Sequence, residues 1–352
     1  MGGARWGGAI GEHSCNGALV IGSRAGPEAF RVGPWGAKVG IDMDFLWIAI
    51  AVFAAMMQAV RTAAQKTLNQ SMSNLGTTYV RSIIGLPIMI AYLVFVLSWK
   101  GGGLPPLKFS YLAFTFLGAA AQVFATMLLI FMFKLRNFAV GTMLTKIDIL
   151  MTAMIGALFF SESLSAWGIF VLLIVVSGVL LITVGKMGGA AFKAGETTFF
   201  KMVFERSTLV ALACALMFAF SYLFLREATL VIKASPNDFM WSAAWTVVIA
   251  TGMQVVGLGT WLARSEPGFY GLLWKNRKIS SFIGVTSAMG SIGWFTAFAL
   301  QNASYVRAVG QIEVVFTLLI SWLYFREKIT RLEYAGIIVT VCGVLMFRLY
   351  QV

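Results

Sequence analysis

Two carboxylates in this chain stand where carboxylates are costly. Asp148 and Glu313 each lie inside a long apolar run, 165 positions apart, and each has a threonine four residues later, Thr152 and Thr317. A charged side chain at the centre of a bilayer costs about 2.5–3.5 kcal/mol even on the mildest scales. An acid kept there is expected to pair with a base, or to take up and release a proton during a working cycle. Bases and amides lie close in sequence: Lys146 precedes Asp148 by two residues, and Arg307 and Gln311 precede Glu313. Lys146 falls about 200° from Asp148 around a helix, so these two should not face each other. Arg307 and Gln311 are spaced i, i+4 and are expected to share a face.

A second set of polar residues accompanies them. Gln58, Arg61, Thr62 and Gln65 follow an i, i+3, i+4, i+7 spacing and draw one polar stripe along an apolar run. Such a stripe must face protein or water rather than lipid. Arg61 is placed to bind an anionic group or to neutralise Asp148. Ser221 and Tyr222 lie in the middle of a later run. Ser287, Gly290, Ser291 and Trp294 form a small-polar stripe on another, which close packing explains in large part. Trp294 packs or contacts a substrate. Arg81, at the start of its run, reads as a snorkelling arginine.

These residues need helices to carry them. The chain is 59% hydrophobic and only 12% charged over 352 residues, with mean hydropathy +0.84. Soluble domains carry about 25% charged residues. The apolar runs are continuous and lack the two-residue alternation of barrel strands, so an all-α membrane protein is expected. About ten spans of transmembrane length can be drawn, over residues 44–65, 79–99, 109–133, 138–160 and 166–186, then 208–231, 239–263, 279–301, 304–325 and 332–350. The offset of 165 also superposes Asn137 on Asn302, Glu162 on Glu327 and Gly178 on Gly343. Two repeats, 43–186 and 208–352, joined by a linker at 187–207, are therefore expected. An odd number of spans per repeat inverts the second relative to the first, which places a site near the midplane and both termini on one side. Residues 1–42 are Gly-rich, have little to bury and read as a disordered tail; Met43, directly before the first run, is a candidate start.

Other chemistry has little footing. The net charge of +13 comes from bases between the apolar runs, which meet lipid headgroups, so no nucleic-acid partner is implied. The single histidine, His13, has no cluster beside it and the three cysteines have no framework spacing; neither a metal, a cofactor nor a disulfide is expected.

The strings Leu158-Phe159-Phe160-Ser161-Glu162-Ser163-Leu164-Ser165 with Ser177-Gly178-Val179-Leu180, and Leu323-Tyr324-Phe325-Arg326-Glu327-Lys328-Ile329-Thr330 with Cys342-Gly343-Val344-Leu345, resemble the EamA repeat of the drug/metabolite transporter superfamily. The likeness covers residues 43–352. It implies ten helices in two inverted five-helix repeats, cytoplasmic termini, alternating access, and a cavity lined by the first, third and fourth helices of each repeat. Glu162 and Glu327 are structural by the same resemblance. The chain departs from it where many members carry proline in the fourth helix, having Lys146-Ile147-Asp148 and Gln311-Ile312-Glu313 instead. The count of Lys and Arg in the loops also opposes cytoplasmic termini. The reading is a transporter in the cell inner membrane, monomeric or homodimeric, that exports a small polar or zwitterionic metabolite against protons. Its alternatives are an exchanger of phosphorylated or nucleotide-linked sugars and a non-transporting scaffold subunit.

Overall fold

In the computed structural model the apolar runs are helical, because backbone N–H and C=O groups facing hydrocarbon must be satisfied within their own segment. The structure describes residues 43–132, 146–187, 206–235, 238–325 and 329–349. The expected N-terminal tail and most of the linker lie outside these residues. In chain order the described helices are α1 (Met43–Leu68), α2 (Asn74–Lys100), α3 (Phe109–Met132), α4 (Asp148–Phe159), α5 (Ala166–Met187), α6 (Arg206–Ile232), α7 (Phe239–Ser265), α8 (Phe269–Lys275), α9 (Arg277–Leu300), α10 (Ala303–Gly310), α11 (Ile312–Phe325) and α12 (Arg331–Leu349). Eight spans among the described residues are long and apolar enough to cross a membrane, one of them running through α10 and α11, with α4 as a shorter apolar helix. Phe95, Phe116, Phe124, Leu158, Phe159 and Ile338 are exposed, as side chains facing lipid should be.

The packing follows the duplication. α1 lies against α9 and α11, and its counterpart α6 lies against α3 and α4, while α2 pairs with α7 and α5 with α12. Glycine sets the closeness of the last pair: a Cβ on Gly178 would stand 2.7 Å from the Thr340 amide, and one on Gly336 would stand 2.6 Å from the Gly178 carbonyl. Gly343 is equally close, with Val175 Cγ2 2.7 Å from where its Cβ would be. Gly178 and Gly343 thus serve to let α5 and α12 approach closely.

The fourth span of the second repeat is not one helix. α10 ends at Gly310, Gln311 forms a turn, and α11 restarts at Ile312, bridged by i→i+3 bonds from Gln311 N to Ala308 O (3.1 Å) and from Val314 N to Gln311 O (2.9 Å). A Cβ on Gly310 would collide with the Trp294 indole, so glycine here lets that ring press against the break. In the first repeat, a turn at Lys146 and Ile147 precedes α4. Asp148 and Glu313 therefore each sit in the first turn of a helix that begins inside the protein. The helix dipole favours a negative charge there by about 0.3–1 kcal/mol.

The motif at the end of α4 ties the repeats together. The Glu162 carboxylate is buried and accepts from Ala303 N (2.8 Å) and Ser304 Oγ (2.8 Å), capping α10 from the connection between α4 and α5, with Arg226 Nη1 at 3.4 Å. Arg226 Nη2 donates to Asn302 Oδ1 (2.9 Å), Asn302 Nδ2 to Ser163 O (3.0 Å), and Ser165 N to the Tyr305 hydroxyl (2.9 Å). Glu162 satisfies α10 donors that have no partner within their own helix. Glu327 lies outside the described residues.

Candidate transport site

Asp148, at the head of α4, is 4% exposed and is met by Arg307 from α10, with Nη2 3.0 Å from Oδ2. The Arg307 guanidinium also lies 4.2 Å from the centroid of Tyr222 (α6) and 5.4 Å from that of Trp294 (α9). One salt bridge is thus held between aromatic faces, which suits the flat, weakly hydrated guanidinium. The i, i+4 pairing of Arg307 with Gln311 expected from spacing does not form, because the helix breaks between them and Arg307 crosses to the other repeat. Neutralisation of Asp148, expected of Arg61, falls to Arg307. Thr152 is buried and returns its hydroxyl to the Asp148 carbonyl (2.6 Å), as Thr317 does to the Glu313 carbonyl (2.9 Å).

Glu313 is held differently. Gln58 Nε2 on α1 donates to Glu313 Oε2 at 2.5 Å, and Trp294 Nε1 donates to Gln58 Oε1 at 3.0 Å. The indole fixes which end of the Gln58 amide faces the acid, since Gln58 Oε1 can only accept. Glu313 is half-buried and is in none of the three ion pairs among the described residues, Arg226–Glu162, Arg226–Glu227 and Arg307–Asp148. Gln311, its nearest polar neighbour in sequence, lies at the helix break and is buried, with Oε1 lacking a hydrogen bond among the described residues. Trp294 is more than packing, since it bonds Gln58 and faces Arg307.

The remaining expected residues divide. Arg61 points inward, with Nη1 3.5 Å from Ser287 Oγ and with Glu313 and Tyr222 in electrostatic range. Thr62 is exposed and spends its hydroxyl on the Gln58 carbonyl (2.8 Å), outside the cluster. Gln65 Nε2 reaches Thr77 O at 3.5 Å. Ser291 is half-buried next to the cluster, and it is Ser287, one turn away, that meets Arg61. Lys146 is half-buried in the turn before α4 and forms none of the ion pairs among the described residues. Thr142 and Thr145, which precede Lys146 in sequence, lie outside the described residues. The cluster draws on α1, α6, α9, α10 and α11 together with α4, which are the first, third and fourth elements of the repeats.

One part was missed. Arg81 on α2 does not snorkel: its Nη2 donates to Gln122 Oε1 on α3 (3.3 Å), an acceptor shared with Gln254 Nε2 from α7 (2.6 Å). Ser82 Oγ joins at Gln254 Oε1 (3.5 Å). The signal was present as two glutamines, Gln122 and Gln254, standing alone within apolar runs.

Comparison with known proteins agrees with this architecture. A solved crystal structure aligns over 87% of this chain and 96% of its own, with TM-score 0.62 and 14% sequence identity, which establishes a shared fold. No curated protein matches this sequence. The model of the EamA-like transporter family matches twice, over residues 45–184 and 206–349. The chain belongs to the EamA-like transporter family, a multi-pass membrane transporter built on two EamA repeats.

Proposed function

We propose that the cluster at the centre of the two repeats carries a small polar, zwitterionic metabolite, and that Glu313 couples its export to proton entry across the cell inner membrane. The observation that carries this reading is the unequal treatment of the two acids. Asp148 is committed to Arg307 at 3.0 Å, whereas Glu313 faces the neutral amide of Gln58 and stays half-buried. A carboxylate hydrogen-bonded to an amide and in no close ion pair among the described residues can exchange a proton for the amine of a cargo molecule; one locked to a guanidinium cannot do so without breaking its pair. Binding proton and amine in turn at one carboxylate, while the repeats rock about the centre, gives antiport. The scaffold reading asks that both acids be held in permanent salt bridges, and among the described residues Asp148 has one and Glu313 has none. The inverted repeats 43–186 and 208–352, with both termini cytoplasmic, form the frame of this proposal.

The test is proteoliposome transport with an internal pH-sensitive dye, screening amino acids, amines and sugar phosphates. The expected result is substrate-driven proton flux that Glu313→Gln abolishes together with substrate transport, and that Glu313→Asp retains in part. Unchanged proton coupling in Glu313→Gln ends this reading.

A further inference from the structure

Arg81 begins about 10 Å along α2 from its start at Asn74, deep enough to need a reason for being there. Its hydrogen-bond partner among the described residues, Gln122 Oε1, is 3.3 Å away and is engaged more closely by Gln254 Nε2 at 2.6 Å. A guanidinium has five donors, and most of those of Arg81 go unused by that contact. Arg61 is in a similar state: its bond to Ser287 Oγ is long at 3.5 Å, and its Nε is buried with no hydrogen-bond partner among the described residues. The two guanidiniums repel each other across the site, and both have Tyr222 in electrostatic range. Neither takes part in the ion pairs among the described residues.

Charge counting gives the same imbalance. Three arginines, Arg61, Arg81 and Arg307, have Tyr222 in electrostatic range, and so do two acids, Asp148 and Glu313. Once Arg307 and Asp148 are matched, two guanidiniums face one carboxylate, and one positive charge is left over. Like charges held together in a medium of low dielectric are costly unless an anion arrives to share them. Two guanidiniums within electrostatic range of each other, one on Ser287 and the other on Gln122, are suited to sharing an oxyanion through charge-assisted bonds.

We infer that Arg61 and Arg81, backed by Ser287 and the Gln122–Gln254 pair, form an anion subsite that grips a carboxylate on the transported molecule. The inference rests on the reading of this cluster as the cargo site and supplies the half that Glu313 does not: the acid takes the amine, and the arginines take the carboxylate. Arg81 becomes a specificity residue, and a lipophilic amine without an acidic group is a poor cargo.

Thermal unfolding of the purified protein in detergent, with valine, isovalerate, isobutylamine or inorganic phosphate added, tests it without any need for proton coupling. The expected result is stabilisation by valine and isovalerate, weaker stabilisation by isobutylamine at equal concentration, and a loss of apparent affinity for isovalerate of about tenfold or more in Arg81→Gln. Arg81→Lys should recover part of that affinity. Unliganded Arg81→Gln should melt no lower than wild type, because the substitution removes an uncompensated cation. Stabilisation by phosphate in place of isovalerate, with the same dependence on Arg81, reassigns the cargo group to a phosphate and overturns the carboxylate. The subsite is also overturned if neither anion stabilises the wild type, or if Arg81→Gln lowers the melting temperature and leaves anion affinity unchanged. A protein that loses anion binding in Arg81→Gln but keeps proton coupling in Glu313→Gln refutes the role given to Glu313 and leaves the subsite standing.

Discussion

Replacing Asp148 by asparagine asks what the buried pair contributes. The substitution keeps the shape of the side chain and one acceptor for Arg307, but removes the negative charge from a site where acid and base are 4% and 6% exposed. A guanidinium cannot shed its charge, so the variant holds a buried cation against an amide oxygen and two aromatic faces, with Glu313 the acid left in electrostatic range. Leaving one member of a buried pair uncompensated costs about 3–5 kcal/mol. The retained hydrogen bond and the Tyr222 face 4.2 Å away put Asp148→Asn near the low end, at about 3 kcal/mol. Arg307→Met strands a carboxylate instead and forfeits the aromatic contacts, for a loss of about 3–4 kcal/mol. The double variant Asp148→Leu/Arg307→Met leaves no charge to compensate and should recover to within about 1–2 kcal/mol of wild type, since apolar replacement of a buried pair is often close to neutral. Equilibrium unfolding in mixed detergent micelles, followed by tryptophan fluorescence, reads all three. The reasoning is refuted if Asp148→Asn stays within about 1 kcal/mol of wild type, or if the double variant is no more stable than the worse single.

Three further outcomes follow from other contacts. Trp294→Phe removes the donor that orients Gln58 and should cost about 1 kcal/mol in the same unfolding assay, while disturbing the pH dependence of transport more than its maximal rate. Gly178→Leu forces bulk into a contact where even a Cβ would be 2.7 Å from the Thr340 amide; loss of about 3 kcal/mol or more, or failure to accumulate in the membrane, is expected, and Gly257→Leu, where a Cβ meets nothing within 4 Å, is the tolerated control. Glu162→Gln leaves Arg226 without its buried counter-charge and weakens the cap on α10, so a loss of about 3 kcal/mol should appear on denaturation, with proton coupling preserved in the protein that folds.

Much of the architecture was legible because hydrocarbon is an undemanding reader. A run such as Ala166–Gly185 has few alternatives to a spanning helix, and residues repeated at a fixed offset announce a duplicated unit whose packing repeats as well. The candidate site was legible only as an inventory. Asp148, Glu313, Gln58, Arg61, Trp294 and Arg307 could be named from their cost in a bilayer, but helical spacing relates only neighbours on one helix. Every decisive contact here joins two helices.

Composition and repetition by themselves determined an all-helical, duplicated membrane protein with acids near its centre, since burial cost and span length are properties of a segment taken alone. Tertiary structure alone decided that Arg307 belongs to Asp148 across 159 residues, and that Gln58 reaches Glu313 across 255. It also decided that the fourth span of the second repeat breaks at Gln311, and that Arg81 turns inward to Gln122. The reason is physical: a charge in hydrocarbon must find a partner, but the partner is selected by which helices the packing of glycines and rings brings together.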